Sequence, residues 1–138
     1  MPDRLLDTST VSALVRAEPI AVSHLARAPG NDALFLSVVS NGEIRYGIGR
    51  LPQGKRRRII ERAYHALLPR FGPWLDVTVT ISETYGRIKT VLTGGGVVLP
   101  ENDLWIAATA LVHDLVLVSK DRHFALVPGL TTENWSTP

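Results

Sequence analysis

Leu115-Val116-Leu117-Val118, running into Ser119-Lys120-Asp121, is the stretch that decides the fold. An unbroken apolar run of this length, bounded by polar residues, reads as a buried strand. It ends in a small polar residue and then an acid. The same pattern recurs upstream. Arg4-Leu5-Leu6 stops at Asp7, and Ala33-Leu34-Phe35-Leu36-Ser37-Val38-Val39 reads as a second strand buried on both faces, with Glu43 in the first turn of the segment after it. Leu75-Asp76-Val77-Thr78-Val79 and a last strand near Thr131-Thr132-Glu133 bring the expected number to about five.

Helical patterns fill the intervals. Thr8 to Ala17 carries Val11, Leu14 and Val15 at i, i+3 and i+4, and a second helix is expected after Pro19. Further helices are expected over Ser40–Leu51, over Lys55–Phe71, from Ser82 to about Leu92 before Gly94-Gly95-Gly96, and from Pro100 to about His113. Strands alternating with helices predict an α/β fold: a central parallel sheet flanked by helices, joined by right-handed crossovers. At 138 residues the chain is expected to form one domain, residues 1–138.

Composition narrows the function classes. Hydrophobic residues make up 45% and charged residues 20%, which excludes a disordered chain. The absence of cysteine excludes disulfide scaffolds, thiol catalysis and Cys-ligated zinc. No stretch reaches the roughly 18 apolar residues of a membrane span, and MPDRLLDTST lacks the apolar core of a signal peptide, so a cytoplasmic protein is expected. The net charge of +2 hides an asymmetry. Arg45, Arg50, Lys55, Arg56, Arg57, Arg58 and Arg62 face a single acid, Glu61, within one segment, while acids outnumber basic residues elsewhere. Such a segment can steer a polyanion or an acidic partner, or it can be a solvated helix face.

Asp7, Glu43, Asp103 and Asp121 fall at the carboxyl ends of expected strands or in the first turn of the next helix, the edge where open α/β sheets bind ligands. Several carboxylates converging there cannot all stay ionised without a cation, and hard oxygen donors suit Mg²⁺ or Mn²⁺. Each acid also has a structural alternative. Ser40-Asn41-Gly42-Glu43 and Thr80-x-x-Glu83 match capping boxes, Asp103 follows Pro100 in a first helical turn, and Asp7 and Asp121 could be N-caps. Ser9 and Ser119, each two residues from an acid, are either ligand-orienting or turn residues. The four histidines show no paired spacing for zinc, and His123 is a candidate substrate contact. The triple glycine lacks the Lys-Ser/Thr of a phosphate loop.

Four blocks, in order, carry a resemblance: Leu5-Leu6-Asp7-Thr8-Ser9; Ser37 through Ile48; Pro100 through Ala110; and Leu117 through Phe124, with the ending Val127-Pro128-Gly129-Leu130 and Glu133-Asn134-Trp135. Together they resemble the PIN-domain nucleases, in particular the VapC/FitB-type toxins of toxin–antitoxin pairs. The resemblance implies a PIN fold and a Mg²⁺- or Mn²⁺-dependent endoribonuclease in which metal-activated water hydrolyses RNA phosphodiester bonds. It places the metal-binding and catalytic acids at Asp7, Glu43, Asp103 and Asp121. It puts Ser119 where threonine is more usual, and Asp114 where glycine often stands before the fourth strand. It further implies a homodimer, a cognate antitoxin and an RNA target such as tRNA or rRNA. Arg45, Lys55, Arg56, Arg57 and Arg58, with Ser9 and Ser119, are the candidate substrate contacts. Two rivals come from other classes: a non-catalytic PIN-like binding or regulatory protein, and a receiver-like phosphotransferase. The second fits poorly because Asp76 begins its strand instead of ending it.

Overall fold

A computed structural model describes residues 2–28 and 33–138. Four parallel strands, β1 (Arg4–Leu6), β2 (Leu34–Phe35), β3 (Val116–Val118) and β4 (Thr132–Glu133), lie in the order β2-β1-β3-β4. The order reverses between β1 and β3, so the crevice beyond their carboxyl ends is where such a sheet binds a ligand. Leu5 pairs with Leu117 and Leu6 with Val118, and this register places Asp7 beside Ser119.

Six helices, α1 (Thr8–Val15), α2 (Pro19–Arg27), α3 (Val38–Gly49), α4 (Lys55–Leu67), α5 (Val79–Gly94) and α6 (Glu101–Val112), cover the sheet. Strand side chains alternate between faces, so two cores form. Leu5 and Leu117 join Ile81, Ile88, Leu104 and Ala108 on the α5–α6 side. Leu6 and Val118 join Val11, Leu14, Ile44, Ile48 and Tyr64 on the other. Leu5, Leu6, Leu117 and Val118 are fully buried, and each such side chain contributes roughly 1.5–3 kcal/mol.

Three boundaries differ from the sequence expectation. The strand expected over residues 33–39 is only Leu34–Phe35, and α3 begins at Val38 because the Ser37 hydroxyl accepts the Val39 N–H. Ser40 therefore lies inside the helix, and the capping box with Glu43 does not form. The segment Leu75–Val79 is no strand. Leu75 makes one parallel bridge to Ser37, and Thr78 then caps α5, accepting from Ile81 N–H. Thr80 is thus within the helix, and the described sheet has four strands where about five were expected. Helix α4 ends at Leu67, and a 3₁₀ turn over Leu68–Arg70 follows.

Asp114 has φ 53°, the left-handed conformation expected where a glycine is usual. No helix of the described residues is long and apolar enough to cross a membrane.

Candidate active site

Asp7 is the fixed point of the site. It follows β1, caps α1 and is 3% exposed. Its Oδ1 accepts from Thr10 N–H at 2.9 Å and from the Ser9 hydroxyl at 2.8 Å. Its Oδ2 accepts from the Ser119 hydroxyl at 2.5 Å. Ser119 Oγ in turn accepts Asp121 N–H at 3.0 Å, so one buried hydroxyl sets the positions of two acids. The Thr10 hydroxyl donates to Val118 carbonyl at 2.9 Å and closes the seam between β3 and α1.

Glu43 arrives from α3. The Thr8 hydroxyl donates to its Oε1 at 2.6 Å and draws it to the α1 N-terminus. Asp103 arrives in the first turn of α6, its side chain 19% exposed. Burial pushes its carboxyl above the usual range. The charge of His123 pulls it back, and Glu43, Asp121 and Asp7 push it up again. Glu43, Asp121 and Asp7 thus lie near enough to act on the Asp103 carboxyl. His123 Nε2 lies 2.9 Å from Asp103 Oδ2, so the ring faces this carboxyl across the site.

The sheet edge thus gathers Asp7, Ser9, Glu43, Asp103, Ser119 and Asp121. The basic candidates stand further out. Arg45 is taken up on the α3–α4 seam, 3.8 Å from Glu61 and over the Tyr64 ring. Lys55, Arg56 and Arg58 are exposed at the head of α4, and Arg57 donates to Leu51 carbonyl. No acid stands in that first helical turn. Arg56 and Glu43 line one groove of about 400 Å³, which runs past Thr8, Ile44 and Ile48 to Ile60.

Sequence reasoning did not find Thr8 or Thr10. Their only signal was position, a hydroxyl on either side of Ser9 in the turn that follows Asp7. His123 was a candidate substrate contact, and the structure sets it against Asp103.

The donor set fits a hard divalent cation: oxygen only, several carboxylates at one edge, and one carboxyl already held up by its neighbours. Among the described residues, no three His, Asp or Glu side chains are arranged to grip a bare ion.

The sequence model of the PIN domain matches residues 4–130. The chain belongs to the PIN domain family. Within it, this PIN domain groups with the ribonuclease toxins. It is 33% identical over 120 residues to the VapC ribonuclease Y4jK of Sinorhizobium fredii, across 85% of this chain and 86% of that one. It is 31% identical over 121 residues to the toxin FitB of Neisseria gonorrhoeae, with coverage of 85% and 86%. The structure of FitAcB from Neisseria gonorrhoeae superimposes with a TM-score of 0.85 at 27% identity, over 98% of this chain and 99% of the other. VapBC2 from Rickettsia felis, bound to a promoter DNA fragment, gives a TM-score of 0.85 at 24% identity, over 96% and 98%, a likeness of fold.

Proposed function

We propose that this PIN domain is a Mg²⁺- or Mn²⁺-dependent endoribonuclease, the toxin of a toxin–antitoxin pair, acting on cellular RNA such as tRNA or rRNA in the cytoplasm. The observation that carries the reading is the gathering of Asp7, Glu43 and Asp121 around the half-buried Asp103 carboxyl at the switch point of the sheet, close enough to push that carboxyl up. Asp7 and Asp103 would hold the cation, with Asp121 and Glu43 completing the site directly or through water. A cation bound there lowers the pKa of a water and offsets the charge that builds on the phosphate.

The chain's own residues do the positioning. Ser9, Thr10 and Ser119 fix the two Asp7 oxygens, and Thr8 fixes Glu43. Lys55, Arg56 and Arg58 draw the RNA backbone toward the acidic edge, since phosphate contacts supply sequence-independent affinity. The groove from Glu43 to Arg56 suits an antitoxin segment: its floor of Val11, Val15, Ile44 and Ile60 is apolar, and Glu43 at its inner end would accept a cation from that segment. The working unit is a homodimer.

The test is cleavage of total cellular RNA by wild type and by Asp103→Asn, each with Mg²⁺ or Mn²⁺ and with EDTA. Discrete fragments from wild type with metal alone are expected. One observation favours the binding-only alternative: His123 covers the Asp103 oxygen that a cation would need. Folded, antitoxin-free wild type that cuts no RNA and binds no Mn²⁺ would move the assignment there.

A further inference from the structure

We propose that a cavity on the other side of Asp7, walled by α1, α2 and Trp135, is a base pocket that takes one amino-bearing nucleobase of the RNA beside the phosphate at the acids. The inference rests on the endoribonuclease reading and names what sets its sequence preference.

Position is the first argument. Ser9 lines this cavity while its hydroxyl bonds both Asp7 oxygens, and Lys120, between Ser119 and Asp121, lines it too. The same two residues line the groove on the Glu43 side. Ser9, bonded to Asp7, and Lys120, next to Asp121, thus form a wall that the two hollows share. A strand whose phosphate rests at the acids has a recess for a neighbouring base, and exposed Lys120 stands beside its backbone.

Size and chemistry are the second. The cavity measures about 260 Å³, below the roughly 300–1,000 Å³ of pockets that hold whole drug-sized ligands, so it suits one ring system. Ala13, Ile20, Ala21 and Trp135 give it apolar walls; the polar groups are Ser136, whose hydroxyl donates to Asn134, and the exposed Glu18 carboxylate, 3.7 Å from Arg16. A carboxylate only accepts hydrogen bonds. Cytosine, adenine and guanine present exocyclic amino donors, whereas uracil offers only its ring N3–H, flanked by two carbonyl oxygens that a carboxylate repels.

The third is rigidity. Trp135 is 3% exposed, donates from Nε1 to Glu133 at 2.9 Å and stacks parallel to His24 at 5.8 Å. His24 Nε2 lies 2.6 Å from Thr137 carbonyl, so α2 is stitched to the C-terminal segment. A wall already held in place loses little freedom when a base enters.

The test measures binding of short fluorescein-labelled RNA strands of cytosine, adenine or uracil, and of an abasic strand of equal length, in Mg²⁺. The protein carries Asp103→Asn, so binding is read without cleavage. A second protein adds Ala13→Leu, which fills the cavity, and a third adds Glu18→Gln at an exposed position that leaves folding intact. Base contacts of this kind are worth about 5- to 150-fold in affinity. The expected result is cytosine and adenine bound about tenfold more tightly than uracil or the abasic strand. Ala13→Leu erases that margin, and Glu18→Gln narrows it. Equal margins in all three proteins, with wild type still cutting RNA, overturn the pocket and leave the nuclease standing. Unchanged RNA binding with weakened capture of the antitoxin in the filled variant reassigns the cavity to a peptide. If wild type cuts nothing and Asp103→Asn binds no strand, the nuclease reading fails first and the pocket with it.

Discussion

Replacing Ser119 with alanine removes one hydroxyl and breaks two bonds: the donation to Asp7 Oδ2 at 2.5 Å and the acceptance from Asp121 N–H at 3.0 Å. A hydrogen bond to a charged group is worth about 1.5–3 kcal/mol and one between neutral groups about 0.5–1.5. Asp7 keeps Ser9 and Thr10 as donors, and Asp121 is partly open to water, so both losses fall toward the low end. The expected cost is about 2–3 kcal/mol, against a typical total of about 5–15. In a domain of this size that lowers Tm by roughly 6–15 °C. The assay is urea unfolding at pH 7 in EDTA, followed by tryptophan fluorescence. Ser119→Thr, which keeps the hydroxyl, is expected to stay within about 1 kcal/mol of wild type. In an Asp7→Asn background the alanine change is expected to cost about 1 kcal/mol less, because the bond to charge has already gone. A loss below about 0.5 kcal/mol, or the same loss in both backgrounds, would refute the reasoning.

Three further outcomes are expected. Asp103→Asn lowers RNA cleavage about a hundredfold or more, since it removes a cation ligand worth several kcal/mol, yet it raises stability in EDTA at neutral pH. The sign follows from its carboxyl, which is held above the usual value: the ionised form is penalised in the fold at neutral pH, and the penalty fades as pH falls through the raised pKa toward 3.8. The stability advantage of the variant over wild type therefore shrinks with acidification, and thermal melts between pH 4 and 8 read it; an advantage that grew would contradict the assignment. Replacing Lys55, Arg56 and Arg58 with glutamine is expected to flatten the slope of log affinity for single-stranded RNA against log salt by about 2, at about 0.7 per lost phosphate contact. An unchanged slope would remove α4 from the RNA path. Asp114→Gly relieves a left-handed φ of 53° and is expected to stabilise by roughly 0.5–1 kcal/mol in the same urea assay.

Three of the acids were legible because each obeys a local rule. Asp7 and Asp121 follow apolar runs, Asp103 opens a helix, and a parallel sheet sends all of them to one edge. What escaped the sequence was whatever depended on a partner far along the chain. Thr8 matters because Glu43 comes round to meet it, 35 residues away. His123 matters because Asp103 faces it across the site. The boundary errors have a different cause. Val38 and Val39 prolong an apolar run and so read as strand, but the Ser37 hydroxyl satisfies an N–H of the first turn and starts a helix there. Val77-Thr78-Val79 has the β-branched composition of a strand, and Thr78 uses its hydroxyl to cap α5. In both places one side-chain hydrogen bond outweighed propensity.

The bond between Ser119 and Asp7 spans 112 residues and joins the third strand to the first. During synthesis Asp7 emerges long before the partner that fixes it. At about 5–20 residues per second the interval is roughly 6–22 s. Throughout that time β1 has no β3 to pair with, Asp121 does not yet exist, and the four carboxylates cannot meet. The acidic edge is therefore assembled late in synthesis, by the order in which the strands are made.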